Sequence, residues 1–519
     1  MLTAAENGGA PRATSQASPE FPIAIIGCGF AGIGTAIQLR KAGILSFTIF
    51  ERAAEIGGTW RDNTYPGAAC DVPSQVYSFS FEANADWSSR FAGAAEIQDY
   101  LLHCVDKYNL RQHLRLRTMV TDACFDEQLG IWTLTLDSGE KFFARAVVSA
   151  MGGLVDPSYP DIKGIEDFAG QRMHTARWNH DYDLSDKRVA VIGTGASAVQ
   201  VVPAIAERVA KLSVFQRTAA WVMPRGEKLI SEDAKARLKR YPLLMRVVRW
   251  SQFLLSEAMG PMIMLDSPRL SRVAETMCEK HLRRSVHSHE LREKLRPKFQ
   301  FGCKRILISD EYLSSFARDN VALITQPICE ISAHGIVTGD GVEHELDAII
   351  FATGFDVAIT TPRIPIRGLA GVSLAQAWRD GAQAYKGVSV AGFPNWFVIM
   401  GPNTGPGHTS VLIFSEAQIG YIVKGIRMLI AEDIRCLSVK PAVQARYNEG
   451  IQRRMKYTVW ESGCKSWYLG ADGKNHALYP GFASEYRARI RKFNRCDYDV
   501  AYFDRSRPGV GYATGGASA

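Results

Sequence analysis

Twice in this chain a short apolar run opens directly into a glycine-spaced turn and then into a helical pattern. The first copy is Phe21-Pro-Ile-Ala-Ile-Ile followed by Gly27-Cys-Gly29-Phe-Ala-Gly32. The second is Arg188-Val-Ala-Val-Ile followed by Gly193-Thr194-Gly195-Ala196-Ser197-Ala198. An unbroken apolar run fits a strand buried on both faces of a parallel sheet. Small residues in the turn let a pyrophosphate approach backbone N–H groups at a helix N-terminus, where the helix dipole favours negative charge. Two such units call for two Rossmann-like α/β domains, and 519 residues are too many for a single core.

The strand after each turn ends differently. Phe47-Thr-Ile-Phe runs into Glu51, nineteen residues beyond Gly32. A carboxylate there accepts hydrogen bonds from an adenosine ribose and repels a 2′-phosphate, so the first site reads as an FAD site built on Gly27, Gly29, Gly32 and Glu51. Leu212-Ser-Val-Phe-Gln instead runs into Arg217-Thr218, twenty-two residues beyond Gly195. A guanidinium in place of the acid favours a 2′-phosphate, so the second site reads as an NADPH site. Its expected contacts are Thr194, Gly195, Ala196, Ser197, Gln200, Arg217 and Thr218.

Composition excludes several alternatives. A net charge of +8 with no dense basic run gives no expectation of nucleic-acid binding. The ten cysteines are scattered without a C-x-x-C pair, which suggests neither a zinc site nor a redox dithiol and fits a reduced, cytoplasmic compartment. His281, His287 and His289 lack metal-ligand context, so no metal is expected. Residues 1–21, rich in Ala, Gly, Ser and Pro, read as a disordered tail, and residues 504–519 as a second tail. Leu243 to Leu265 is the most apolar stretch, but Arg246, Arg249 and Glu257 interrupt it. It reads as an amphipathic lid or core helix, and membrane contact is not expected.

Between the two turns lies Phe168-Ala-Gly170-Gln-Arg-Met-His174-Thr-Ala-Arg-Trp178. Its Phe-x-Gly-x-x-x-His-x-x-x-Trp spacing resembles the fingerprint of type I Baeyer–Villiger monooxygenases. Gly57-Gly58-Thr59-Trp60, continuing to Tyr65-Pro66-Gly67 and Asp71, resembles the longer signature of the same family. The fingerprint departs from the family at Asn179, where Pro or Asp is usual. The resemblance spans nearly the whole chain between the tails. Flavin-containing monooxygenases and N-hydroxylases share the two-dinucleotide layout, but the complete Gly-Gly-x-Trp to Asp71 loop and Lys304-Arg305 favour the Baeyer–Villiger group. The absence of paired cysteines after the first turn disfavours a disulfide reductase.

The resemblance implies residue roles. Thr59, Trp60, Asp71, Tyr77, Val120 and Val411 would line the FAD. Lys304 would join Arg217 on the 2′-phosphate, Trp467 would contact the nicotinamide, and His174 would link the two domains. Arg305, oriented by Asp71, would stabilise the oxygenating C4a-peroxyflavin and the alkoxide formed when it attacks a ketone; both are the expected catalytic residues. The substrates would be a ketone and O2, the product an ester or lactone. Oxygenation of a sulfide or amine, or unproductive NADPH oxidation, are the competing readings, and oligomeric state is left open. The expected domains are 22–155 for the first part of the FAD domain, 156–384 for the NADPH domain with a helical insertion at about 226–300, and 385–503 for the second part of the FAD domain.

Overall fold

The structure is a computed structural model that describes residues 21–357, 362–464, 466–470 and 472–503. The tails expected at 1–21 and 504–519 lie, apart from Phe21, outside the described residues.

A five-stranded sheet is built around Ile23–Ile26, in the order Trp396–Val398, Ala146–Ser149, Ile23–Ile26, Phe47–Phe50, Leu114–Arg115. Every pairing is parallel, and all four residues of the central strand are buried, as its unbroken apolar sequence requires. The strands come from both ends of the chain, so this unit closes only when residues near 396 return to it. The turn at its head needs glycine: Gly27 has φ +103°, and a Cβ there would sit 2.5 Å from the carbonyl oxygen of Ala150. The helix Phe30–Lys41 then packs against Val411–Ala431; Gly34 sits so close that a Cβ would lie 3.0 Å from Ile419.

A second parallel sheet repeats the plan in the order Val321–Ile324, Lys211–Phe215, Arg188–Ile192, Ala348–Phe351, Gln171–His174. Gly193 has φ +117°, with Ala352 where Ala150 stands in the first unit. The fold is therefore α/β with two dinucleotide-binding units, as the paired turns demand. Two further sheets flank the parallel ones: a mixed one, in which Val120–Asp126 pairs parallel with Ile366–Arg367 and antiparallel with Ile131–Leu136, followed by Lys141–Ala144, and an antiparallel one of Ile328–Ile331, Gly335–Thr338 and Glu343–Glu345.

Four helices, Glu232–Arg240, Pro242–Met264, Pro268–Ser285 and His289–Leu295, leave the second unit together. Their starts follow local chemistry. Ser231 and Ser288 accept N-cap hydrogen bonds from Ala234 and Leu291, and proline opens two of the helices, where its missing N–H costs nothing. The apolar stretch from Leu243 is a helix but not a core helix. Among Pro242–Met264 only Phe253, Gly260 and Met264 are buried. No helix among the described residues is long and apolar enough to cross a membrane.

The cysteines are not all separate. Cys303 and Cys464 form a disulfide with Cα atoms 6.3 Å apart. They lie 161 residues apart in sequence, so no spacing rule reveals the pair.

Candidate active site

The loop from Gly57 to Asp71 joins the two nucleotide turns. At its start, Gly57 donates its N–H to the Cys28 carbonyl, and a Cβ on Gly58 would lie 3.4 Å from the Gly29 backbone. Further on, Tyr65 Oη donates to Gln200 Oε1 (2.8 Å), and the Gln200 amide donates to the Ala69 carbonyl (2.9 Å). Gln200, expected beside NADPH, thus spends its amide on clamping this loop to the second helix, Ala198–Ile205. A Cβ on Gly67 would lie 2.6 Å from the Gln200 carbonyl, which is why a bare backbone passes there.

At the first turn, the N–H groups of Gly29, Phe30 and Ala31 have no acceptor among the described residues, and the Gly29 cap offers no side chain. A Cβ on Gly29 would have 3.8 Å of clearance. Unpaired donors at a helix N-terminus beside open space suit a diphosphate. Glu51 is buried at the end of its strand, accepting from Cys28 N, Ala53 N and Arg61 Nη1 at 3.0, 3.0 and 3.1 Å. Its carboxylate is anchored beside the turn, where a ribose would reach it. Thr59 opens the short helix Thr59–Asp62 next to Gly58. Val120, buried, begins the antiparallel strand just after Thr118, whose N–H bonds the Glu51 carbonyl. Val411 is the first residue of the helix that backs Phe30–Lys41.

Trp60 and Tyr77 form one unit: the indole N–H donates to Tyr77 Oη (3.2 Å) and the rings meet edge to face at 5.5 Å. Burial pushes the Tyr77 phenol well above its ordinary range, so it remains protonated.

At the second turn a Cβ on Gly195 would meet nothing within 4 Å, and Ser197 leaves the helix uncapped by any side chain. Thr194 Oγ1 donates to the Thr218 carbonyl (2.8 Å), tying the turn, which continues through Ala196, to the strand end carrying Arg217. Arg217 is exposed and in no ion pair among the described residues. The chain beyond it runs beside the segment carrying Lys304. Trp221 Nε1 donates to the Phe299 carbonyl (2.8 Å), and Val222–Met223 pairs with Leu307–Ile308. Lys304 lies over the Phe299 ring at 5.0 Å. Arg217 beside an open helix N-terminus, with Lys304 on the adjoining segment, fits a phosphorylated dinucleotide.

Arg305 follows Lys304. Its Nε donates to Asp71 Oδ2 at 3.2 Å, and its Nη2 bonds the same oxygen. The Arg305 side chain is 49% exposed and is tied through Asp71 to the loop that joins the two nucleotide turns. The Asp71 charge, outweighing burial, holds it above even the ordinary arginine range, so it is a permanent cation. Tyr468, which sequence reasoning missed, lies buried near this pair. Burial pushes its phenol up to about 12, with the Arg305 charge opposing and that of Asp71 reinforcing the shift. Trp467, the neighbour singled out from sequence, is half-exposed instead, its ring 4.5 Å from that of Tyr468.

His174 is fully buried where the linkers between the units cross. Its Nδ1 accepts from Ala176 N (3.1 Å), and its ring packs against Tyr159 and Phe355. A second buried histidine, His408, ties the loop before Val411 to the helical segment through Glu257 Oε1 (2.8 Å). Neither spacing nor resemblance pointed to that contact. No group of three or more potential metal ligands occurs among the described residues.

Residues 21–362 match the family model described as flavin-binding monooxygenase-like. The chain belongs to this family. It is 44% identical over 490 residues to a Baeyer–Villiger monooxygenase of Pseudomonas aeruginosa, covering 94% of this chain and 93% of that one. It is 41% identical over 487 residues to a Baeyer–Villiger monooxygenase of Streptomyces coelicolor, covering 93% of each. Among solved structures, cyclohexanone monooxygenase from Rhodococcus sp. Phi1 bound to NADP+ superposes with a TM-score of 0.83 at 29% identity, covering 93% of this chain and 99% of that one.

Proposed function

We propose that this chain is an FAD- and NADPH-dependent monooxygenase that inserts one atom of O2 beside a ketone carbonyl, giving an ester or lactone. The observation that carries this reading is Arg305, half-exposed and held by Asp71 at the end of the loop that joins the two nucleotide turns. When bound, NADPH and FAD supply the reducing equivalents and the activation of O2; the protein supplies position and charge.

The unpaired N–H groups at Gly29–Ala31 and the buried Glu51 would hold the FAD diphosphate and ribose. Arg217 and Lys304 would hold the extra phosphate of NADPH, with Thr194, Gly195, Ala196 and Ser197 along its diphosphate. Attack on a ketone carbonyl places negative charge on oxygen, and a cation already in place stabilises it without reorganisation. Arg305 meets that need because Asp71 fixes its direction. Asp71 accepts both bonds through one oxygen, so the rest of the guanidinium remains free to donate. Protonated Tyr77 and Tyr468 add no competing negative charge. Support for ketones as substrate comes from the Baeyer–Villiger relatives and from the cyclohexanone monooxygenase neighbour.

The test is product analysis by mass spectrometry with purified holoprotein, NADPH and isotopically labelled O2, offering linear, cyclic and aromatic ketones and, separately, a sulfide. One labelled oxygen in an ester or lactone is expected. Sulfoxide without ester, or hydrogen peroxide without any oxygenated product, would remove the reading.

A further inference from the structure

The helix Pro242–Met264 faces the wrong way for a core element. Its inward side is well anchored. Arg249 donates to the carbonyls of Gln75 and Ser78, and Phe253 and Gly260 are buried on the same side; further along, the outward side ends at Glu257, which bonds His408, Ala483 and Ser484. Its outward side carries Leu243, Leu244, Val247, Trp250, Leu254 and Leu255, each between 40% and 72% exposed. Positions 243, 247, 250 and 254 fall on one stripe at helical spacing, with 244 and 255 beside it. Six large apolar side chains on one exposed helix face exceed what scattered surface residues explain.

Cations gather around the stripe. Arg246 lies on the helix itself, and Arg240 sits over Tyr241 at its start. Beside Trp250 opens a groove of about 430 Å³ lined by Phe253, Tyr421, Lys424, Arg487 and Arg491. The Arg487 guanidinium rests 5.7 Å from the Trp250 ring and 5.8 Å from that of Phe253. None of Arg240, Arg246, Lys424, Arg487 and Arg491 is in an ion pair among the described residues. The one acid in the groove, Glu416, is turned towards Ser80 and Arg249.

We infer that this face docks on an anionic phospholipid bilayer. The apolar stripe enters the headgroup–acyl boundary, Trp250 takes the interfacial level, and the five cations meet lipid phosphates. A second copy of the chain fits less well, because a two-fold contact through this face sets the same five cations against their own mates. The sequence, which gave no expectation of membrane contact, could not show which side of the helix the protein covers. This docking does not depend on the reaction proposed above.

The experiment is flotation of the full-length, FAD-loaded protein with vesicles of phosphatidylcholine alone or mixed with phosphatidylglycerol. Binding to the anionic vesicles should exceed binding to the neutral ones by more than about tenfold and fall as salt is raised. The combined variant Leu243→Gln, Val247→Gln, Leu254→Gln should lose flotation while keeping its flavin and melting temperature. A second variant, Arg246→Gln, Arg487→Gln, Arg491→Gln, leaves the stripe intact and should lose the preference for anionic lipid. Absence of flotation, or equal binding to both vesicle types, overturns the inference. So does a concentration-dependent dimer in analytical ultracentrifugation that the apolar variant converts to monomer, because the face is then a self-interface.

Discussion

Asp71 and Arg305 stand 234 positions apart, yet two guanidinium nitrogens of Arg305 converge on a single carboxylate oxygen of Asp71. The arrangement steers the cation without using up its donors. Removing the guanidinium should spare both nucleotide sites and abolish only the step that needs its charge. Arg305→Ala is expected to bind FAD and to be bleached anaerobically by NADPH, while ester formation falls by ~10²–10³ and NADPH is consumed to hydrogen peroxide. Arg305→Lys keeps the charge but not the fork, so it should recover only part of the loss. Normal ester yield from the alanine variant would detach Arg305 from the chemistry.

Arg217 is exposed at the end of its strand, beside a turn that Thr194 ties to Thr218. If its partner is the 2′-phosphate, Arg217→Ala should raise KM for NADPH and leave KM for NADH almost unmoved. One charge-assisted hydrogen bond of ~1.5–3 kcal/mol corresponds to roughly a ten- to hundredfold change. Steady-state kinetics with both cofactors decides the matter. An equal rise for NADH would mean that Arg217 holds something common to the two dinucleotides.

What the sequence shows and hides follows from distance along the chain. Each nucleotide turn is local, a strand, three small residues and a helix within about twenty positions, so Glu51 and Arg217 can be placed by counting. Contacts such as Tyr65 with Gln200, or Glu257 with His408, span 135 and 151 positions and have no periodic signature. Asp71 meeting Arg305 is visible in the sequence only through resemblance, since Lys-Arg before an apolar run is commonplace. The helix at 242–264 shows a subtler limit. Apolar residues occupy both its faces, so periodicity predicts a helix but cannot tell which side is covered. Trp467 and Tyr468 illustrate the same limit at one-residue resolution, with the half-exposed ring next to the buried one.

Glu257 holds three segments at once: its carboxylate accepts from His408, from the Ala483 and Ser484 N–H groups, and from the Ser484 hydroxyl. Burial alone would raise its pKa, but the bonds from His408 and Ser484 outweigh it and bring the group to about 2, against 4.5 for a free side chain. The stability this represents is present above pH 4.5 and is lost as pH falls towards 2. Glu257→Gln should therefore cost about 2–3 kcal/mol near neutrality and much less near pH 2. Urea unfolding at a series of pH values measures it, and a cost independent of pH would contradict the carboxylate's role.

His174 acts in a higher pH window and through the opposite charge. Burial, aided by the nearby Arg177 charge and opposed by the Gly354 backbone, lowers its pKa from 6.5 to about 4. Between those values the unfolded chain takes up a proton that the fold refuses, so stability falls as pH drops from 6.5 and levels off near 4. The full effect of this one ring is roughly 3 kcal/mol. His174→Gln removes the titrating group, so the difference in unfolding free energy between parent and variant should shrink steadily from pH 7 to pH 4. Because His174 packs between Tyr159 and Phe355 where the linkers cross, the same variant should also speed proteolysis of the segment around residues 155–160. A constant difference across that pH range would show that the histidine titrates alike in the folded and unfolded chain, and the buried neutral ring would have to be abandoned.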